Sequence, residues 1–301
     1  MNRENYLYGH LSAGFSIFVW GTTFISTKVL LESFTPLEIL FFRFIIGYAA
    51  LWIAYPHIMK VKGLKEEMLF ALAGLCGVTL YFLMENFALT YTLTSNVSII
   101  IAVAPFFTAL FDWFLFKGKK PGLRFLAGFT TAIIGIGLIS LQGSSGMELN
   151  PKGDFLALTA AITWAAYSVI TKKLGEYGHG TVETTRRIFF YGLLFMIPVL
   201  AVLPFRLGLT RLLNITNLLN ILFLGLGASA LCFATWNFAV KVLGSVKTSV
   251  YIYAVPVITV ITSMLILKER LTAQSFAGIL LTLAGLIISE SRFKKPDVKK
   301  H

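Results

Sequence analysis

Residues 20–43 read WGTTFISTKVLLESFTPLEILFFR, and residues 164–187 read WAAYSVITKKLGEYGHGTVETTRR. Each segment begins with Trp, carries Lys at its ninth position and ends with Arg. The second set lies 144 positions after the first, from 20 to 164, from 28 to 172 and from 43 to 187. Matched order and spacing over so long an interval indicate that the chain contains an internal duplication.

The duplication continues beyond these segments. Asn86 and Pro105 recur as Asn237 and Pro256, and the two residues are 19 positions apart in both copies. The offset has grown from 144 to 151 positions, so seven additional residues lie between the second and third apolar stretches of the second copy. The polar residues of the apolar stretches therefore come in pairs.

The composition is that of a membrane protein. Of 301 residues, 56% are hydrophobic and only 13% are charged, with a mean hydropathy of +0.78. Soluble proteins carry roughly 25% charged residues. Apolar runs of 18 or more residues recur along the chain, and each is long enough to cross a bilayer. The sequence predicts an all-α polytopic membrane protein.

The apolar stretches divide the chain into two repeats of five predicted transmembrane helices. The first repeat covers residues 7–141, the second covers 154–290, and 291–301 form a basic tail. Because five is odd, the second repeat enters the membrane from the opposite face, an inverted repeat typical of secondary transporters. The predicted spans are 7–31, 36–55, 67–90, 94–116, 122–141, 154–174, 182–203, 215–240, 246–267 and 273–290.

The distribution of Lys and Arg predicts the orientation. Seventeen of these residues fall on the side of the N-terminus, six fall on the other side, and three lie within or at the edges of spans. Positive residues accumulate on the cytoplasmic side. We therefore expect a multi-pass protein of the cell (inner) membrane with both termini in the cytoplasm. The net charge of +12 reflects this topology, so we expect no nucleic-acid partner.

Deep aromatic and amide side chains are the candidates for a substrate pocket. Trp20 and Trp164 lie in the middle of spans rather than at the membrane interface. An alternative is that the Trp residues only pack and that the amides only join helices. Prolines in matching spans free backbone carbonyls near the membrane centre, as at many transporter sites. The predicted substrate-binding residues are Trp20, Thr23, Asn86, Ser98, Trp164, Tyr167, Trp236, Asn237, Tyr251 and Tyr253.

A second group is predicted to form gates or structural supports. Charged residues within a bilayer are costly, so they mark either a pathway or a structural lock. Here the arginines bind helix-end carbonyls in one interpretation and a substrate anion in the other. The group comprises Lys28, Arg43, Lys172, Arg187, Pro105 and Pro256.

Glu85 is a candidate for proton coupling because it is the only carboxylate well inside the third span. Its counterpart in the second repeat is Trp236.

An enzyme is not expected, because the sequence has no paired acids and no phosphate-binding glycine loop. No cofactor and no metal site are predicted. We expect a small-molecule substrate, contact with the lipid bilayer, and a monomer or homodimer.

The chain resembles the drug/metabolite transporter superfamily, in particular its ten-helix EamA type. The resemblance rests on the paired Trp–Lys–Arg sets, the matching prolines and the repeated Asn-Phe-Ala at 86–88 and 237–239. A further mark is Leu-Lys-Glu-Arg at 267–270, followed by Phe-Ala-Gly at 276–278. In the first repeat Gly118 replaces Glu269 of that motif.

The resemblance implies transport of small organic solutes, often export of amino acids or related metabolites, by alternating access of two inverted repeats. Related branches move phosphate-bearing metabolites, so an organic-anion transporter or exchanger that uses the embedded Arg and Lys residues is the alternative. Small multidrug exporters of the superfamily use a Glu in the first span, and residues 7–31 contain none. A membrane scaffold without transport activity is the third hypothesis.

Overall fold

A computed structural model describes residues 3–92, 94–140, 150–267 and 273–290. These residues form helices joined by short loops and contain no strand. The first half contains α1 (Arg3–Leu30), α2 (Pro36–Ala54), α3 (Leu64–Gly74), a π-helix (Leu75–Leu80), α4 (Tyr81–Tyr91), α5 (Thr94–Ile101), α6 (Ala104–Phe116) and α7 (Leu123–Ser140). The second half contains α8 (Pro151–Gly175), α9 (Thr181–Val202), a 3-10 helix (Leu209–Leu213), α10 (Ile215–Leu222), a π-helix (Phe223–Leu231), α11 (Cys232–Leu243), α12 (Ser245–Ser249), a 3-10 helix (Val250–Tyr253), α13 (Ala254–Leu267) and α14 (Ala273–Glu290).

The prediction of an all-α polytopic membrane protein is confirmed. Six continuous helical segments are long and apolar enough to cross a membrane. The other four spans correspond to α5 with α6, to α7, to α12 with α13, and to α14. The six are Glu4–Leu30, Pro36–Ala54, Leu64–Tyr91, Pro151–Gly175, Thr181–Val202 and Ile215–Leu243.

Helix starts follow ordinary capping chemistry. The Thr35 side chain accepts from the backbone N–H of Glu38, whose carboxylate accepts from the Thr35 N–H. Pro36 then occupies the first helical turn, where its missing N–H is not needed. Asn150 caps α8 in a similar way. These signals fix where α2 and α8 begin.

Both repeats carry irregular helix at equivalent places. A π-helix interrupts the third span and another interrupts the eighth; they end at Leu80 and Leu231, which are 151 positions apart like Asn86 and Asn237. The fourth span breaks between Ile101 and Ala104, and the ninth starts with a short helix and a 3-10 turn. Such interruptions often occur at functional sites.

The two repeats pack against each other along their whole length. Helix α1 packs on α11 and α13, α2 on α9, α3 on α9, α4 and α6 on α8, and α7 on α14. Every membrane-crossing unit of the first repeat therefore contacts the second. Below, the N-terminal face is the end of the bundle where α1 begins, and the opposite face is the end where α1 finishes at Leu30.

Helices α7 and α14 meet through glycines. A Cβ atom added to Gly128 would lie 2.7 Å from the Gly285 carbonyl oxygen, and one added to Gly135 would lie 2.7 Å from the Gly278 carbonyl oxygen. Small residues let two helix backbones approach closely, which is the usual way for helices to associate in lipid. This pair is a structural unit at the edge of the bundle.

Candidate functional site

A small cavity lies between the two repeats, near the middle of the bundle. Its volume is about 30 Å³, enough for about one water molecule. Drug-sized ligands occupy pockets of roughly 300–1,000 Å³. The cavity must therefore widen before it can hold a metabolite. It is lined by Ile17, Trp20, Thr23, Phe24, Tyr81, Phe82, Glu85, Ile101, Trp164, Ile252 and Val255.

Five of the eleven residues that line the cavity are aromatic. The rings of Trp20 and Trp164, equivalent residues of the two repeats, meet edge to face with centroids 5.1 Å apart. Tyr81 packs on Trp164 at 4.8 Å, and Trp236 packs behind Trp20 at 5.1 Å. The duplicated tryptophans therefore meet at the interface between the repeats.

The indole N–H groups of Trp20, Trp164 and Trp236 differ in their hydrogen bonding. Nε1 of Trp20 donates to the carbonyl oxygen of Ala228, in the π-helix of the eighth span, over 2.9 Å. The Nε1 atoms of Trp164 and Trp236 are buried and have no acceptor within the described part of the chain. An unpaired buried donor is costly, so such groups are unusual outside functional regions.

Glu85 is the one carboxylate among the residues that line the cavity. It is 6% exposed, and the Tyr81 hydroxyl donates to its Oε1 atom over 3.3 Å. The residues lie four apart in α4 and therefore on the same helix face. Across the described chain, this is the single hydrogen bond that the Glu85 side chain makes.

Arg43 lies close to this group without contacting the carboxylate. It is 2% exposed, its Nε donates to the Ser229 hydroxyl over 3.0 Å, and its guanidinium carbon lies 4.2 Å from the Phe82 ring centroid. Arg43 and Glu85 interact electrostatically, but no carboxylate of a described residue comes within 4.0 Å of Arg43. The arginine binds the π-helix of the second repeat and lies against Phe82 of the cavity wall, but it is not itself a lining residue.

The two deep amides join helices within their own repeats. Asn86 Nδ2 donates to the Pro36 carbonyl oxygen over 3.0 Å. Asn237 accepts from the Tyr167 hydroxyl over 2.6 Å and donates to Thr185 over 3.0 Å. None of these side chains lines the cavity, and their positions fit the helix-joining alternative.

Three other predicted site residues lie away from the cavity. The Tyr251 hydroxyl lies 2.5 Å from His10 Nδ1 towards the N-terminal face, and Tyr253 packs towards Phe129 of α7, with centroids 6.4 Å apart. Ser98 is buried in α5. The 3-10 turn aims Ile252, rather than its tyrosine neighbours, at the cavity.

The helix interruptions supply part of the cavity lining. Ile101 ends α5 just before the break, and Pro105 lies in the first turn of α6. In the second repeat Val255 immediately precedes Pro256 and lines the cavity. Both broken spans thus reach the cavity, although the prolines themselves do not line it.

The remaining predicted cations also lie outside the lining. Lys28 donates to the Leu89 carbonyl oxygen over 3.0 Å at the opposite face. Lys172 pairs with Asp112 at 2.5 Å, and Arg187 pairs with Glu67 at 2.6 Å, both at the N-terminal face. The two ion pairs join the repeats, whereas the hydrogen bond of Lys28 to Leu89 stays within the first repeat.

Sequence reasoning missed several residues. Arg186 donates to the carbonyl oxygens of Tyr55 and His57 at the end of α2, and its guanidinium carbon lies 3.9 Å from the Trp52 ring centroid. At the opposite face Arg211 pairs with Glu38 at 2.9 Å. The missed cavity residues are Ile17, Phe24, Tyr81, Phe82, Ile101, Ile252 and Val255. For some the helical period was an available signal, since Ile17 and Phe24 flank Trp20 on one face of α1 and Tyr81 lies one turn before Glu85.

The sequence model of the EamA-like transporter family matches residues 7–141 and 151–290. A protein of Archaeoglobus fulgidus described as an uncharacterized transporter is 28% identical, covering 94% of this chain and 97% of its own length. A probable amino-acid metabolite efflux pump of Escherichia coli K12 is 25% identical over 91% of both chains. A solved crystal structure with 17% identity covers both chains completely with a TM-score of 0.74, which shows a shared fold.

Proposed function

Because this chain belongs to the EamA-like transporter family, we propose that it exports amino acids or closely related small metabolites across the cell membrane by alternating access. The chain is a multi-pass membrane transporter rather than an enzyme. The substrate class and the direction of transport are the proposed part. The efflux activity named for the Escherichia coli relative supports both.

One observation carries the proposal: the described residues that line the cavity between the repeats combine aromatic walls with a single carboxylate and no cationic side chain. Trp20, Trp164 and Tyr81 supply flat apolar surface, and Glu85 supplies the charge. Such a lining suits a small solute with an apolar part and an amino group. It is poorly suited to a phosphate-bearing metabolite, which usually binds to Arg, Lys or helix N-termini.

The contacts at the two faces support alternating access. Asp112–Lys172 and Glu67–Arg187 join the repeats at the N-terminal face. Glu38 joins Arg211 across the repeats at the opposite face. Rocking of one repeat against the other would break the pairs of one face while keeping those of the other. The cavity of about 30 Å³ is then a narrow form of the site that widens when either face opens.

Transport into proteoliposomes tests the proposal. Purified protein is reconstituted, and flux of a broad panel of radiolabelled amino acids and of one phosphorylated metabolite is measured. We expect flux of at least one amino acid, and its loss in Trp164→Ala. Phe18→Ala serves as the matched control, because Phe18 lies on α1 with 63% exposure towards the outside of the bundle. Flux of the phosphorylated metabolite without amino-acid flux would overturn the substrate class.

The proposed orientation has both termini in the cytoplasm. It is supported by the excess of Lys and Arg on the N-terminal side of the spans. Impermeant thiol reagents applied to intact cells test it, with single cysteines introduced at exposed Lys65 and at exposed Ser33. We expect labelling at position 33 only.

Proton coupling through Glu85 is part of the proposed mechanism. A buried carboxylate in a membrane helix can bind and release a proton during the transport cycle. An inward proton gradient should therefore accelerate export by wild-type protein but not by Glu85→Gln. Equal acceleration of both proteins would exclude Glu85 as the coupling group.

A further inference from the structure

We infer that Glu85 and the aromatic rings beside it form a binding site for the ammonium group of the substrate, so that a free amine is required for recognition. This inference rests on the proposed function and narrows it. Transported solutes would share a primary or secondary amine and an apolar side chain. A carboxylate on the solute would be optional.

The first support is the unused capacity of the Glu85 carboxylate. A carboxylate has about four acceptor positions, and Glu85 uses one of them, for the Tyr81 hydroxyl at 3.3 Å. The side chain is only 6% exposed and lines the cavity. A buried charge with so few partners is costly. A cationic group that enters the widened cavity would supply the missing hydrogen-bond donors.

The second support is that Arg43, a cation near Glu85, binds other residues. Arg43 donates its Nε hydrogen to Ser229 and lays its guanidinium on Phe82, so it balances the charge of Glu85 only from a distance. Lys28 is bound to Leu89 and Lys172 to Asp112, towards opposite faces. The cation that contacts Glu85 directly would thus be that of the solute.

The third support is the shape and chemistry of the walls. Trp20, Trp164 and Tyr81 surround the cavity, with ring centroids 5.1 Å apart for the two tryptophans and 4.8 Å apart for Tyr81 and Trp164. An ammonium group within about 6 Å of an aromatic ring centroid is attracted to the ring face. A carboxylate or phosphate is repelled by the same faces. The aromatic walls and the Glu85 carboxylate therefore both favour a positively charged group.

A series of four probes separates the amine from the carboxylate. Binding of phenylalanine, 2-phenylethylamine, 3-phenylpropionate and N-acetylphenylalanine to the purified protein is followed by tryptophan fluorescence. The two free amines should bind with affinities within about tenfold of each other. The acid and the acetylated compound should bind at least about tenfold more weakly than phenylalanine. Equal binding of phenylalanine and N-acetylphenylalanine would overturn the inference.

Two variants test the role of Glu85 itself. Glu85→Gln keeps the size of the side chain but removes its charge, and should weaken 2-phenylethylamine binding by at least about tenfold. Glu32→Gln makes the same chemical change at an exposed position on the loop after α1 and should leave binding unaltered. Melting temperatures identify any misfolded variant, and the probe series on wild-type protein stays decisive if Glu85→Gln does not fold.

The outcomes separate this inference from the proposed function. Amino-acid flux in proteoliposomes, combined with unchanged amine binding in Glu85→Gln, would overturn the ammonium site and keep the amino-acid transporter. Binding of both free amines without flux of any amino acid would keep the site and overturn the proposed substrate class. Failure of both free amines to bind would overturn the ammonium site whatever the flux assay shows.

Discussion

Lys172 Nζ lies 2.5 Å from Asp112 Oδ1, and this ion pair joins the end of α8 to the end of α6 across the two repeats. Lys28, the counterpart of Lys172, instead donates to the Leu89 carbonyl oxygen within its own repeat. The duplicated lysines have therefore diverged in role: one holds the repeats together at the N-terminal face, and the other caps a helix end at the opposite face.

Breaking the Lys172–Asp112 pair should open the N-terminal face more often. Because Lys172 is 34% exposed and Asp112 8% exposed, we expect Lys172→Gln to weaken closure by about 1 kcal/mol, the upper end of the range for exposed pairs. Maleimide labelling of a cysteine at position 23, in a background lacking Cys76 and Cys232, measures the opening. Labelling should be faster in Lys172→Gln and unchanged in Lys28→Gln. Slower labelling in Lys172→Gln would contradict a closing role.

Replacing Arg43 should lower the free energy of unfolding more than replacing its counterpart Arg187. Arg43→Gln removes a buried charged hydrogen bond to Ser229, and we expect a loss of about 2–3 kcal/mol in the free energy of unfolding. Arg187 is 30% exposed beside Glu67, so Arg187→Gln should cost about 1 kcal/mol. Chemical denaturation in detergent measures both. Intact stability of Arg43→Gln together with lost binding of an anionic metabolite would instead favour the organic-anion alternative.

Substitution by Phe should change the stability of the protein differently at Trp20 and at Trp164. Trp20→Phe leaves the Ala228 carbonyl oxygen without its donor, whereas Trp164→Phe removes an indole N–H that has no acceptor among the described residues. We expect Trp20→Phe to be less stable than Trp164→Phe by about 1–2 kcal/mol. Melting curves of the two purified variants supply the comparison. Equal melting temperatures would mean that the Trp20 hydrogen bond adds nothing to stability.

Helix α7 offers a matched pair of glycines. A Cβ atom on Gly135 would lie 2.6 Å from the Thr282 backbone nitrogen, whereas one on Gly137 would meet nothing within 4 Å. Gly135→Val should therefore separate α7 from α14 and lower the free energy of unfolding by about 1–3 kcal/mol. Gly137→Val should be tolerated. A similar loss of stability in both variants would indicate an effect of helix propensity rather than of packing.

The spans and the duplication were predictable because they depend on composition and on long-range spacing. Membrane helices need about 20 apolar residues whatever their partners are. The offset of 144 residues likewise predicted that Trp20 and Trp164 are equivalent, and the structure brings their rings together. What spacing could not show is which residues bind each other across an interface, such as Arg43 and Ser229.

The cavity lining was only partly predictable because irregular helix rotates the residues that follow it. The π-helix before Tyr81 shifts the helical period of the third span, so that Glu85 lines the cavity while Asn86 turns towards Pro36. The 3-10 turn in the ninth span likewise aims Ile252 at the cavity in place of its tyrosine neighbours. Neither turn has a sequence signal as plain as that of a proline.

The position held by Glu85 in the first repeat and by Trp236 in the second makes the two halves complementary rather than interchangeable. Two copies of the first repeat, assembled as a dimer, would bring two carboxylates towards one small cavity, and the repulsion between them would oppose assembly. Two copies of the second repeat would bring no carboxylate to that position. The covalent fusion therefore guarantees a one-to-one ratio of unlike halves, and neither half paired with a copy of itself would give a cavity with a single carboxylate.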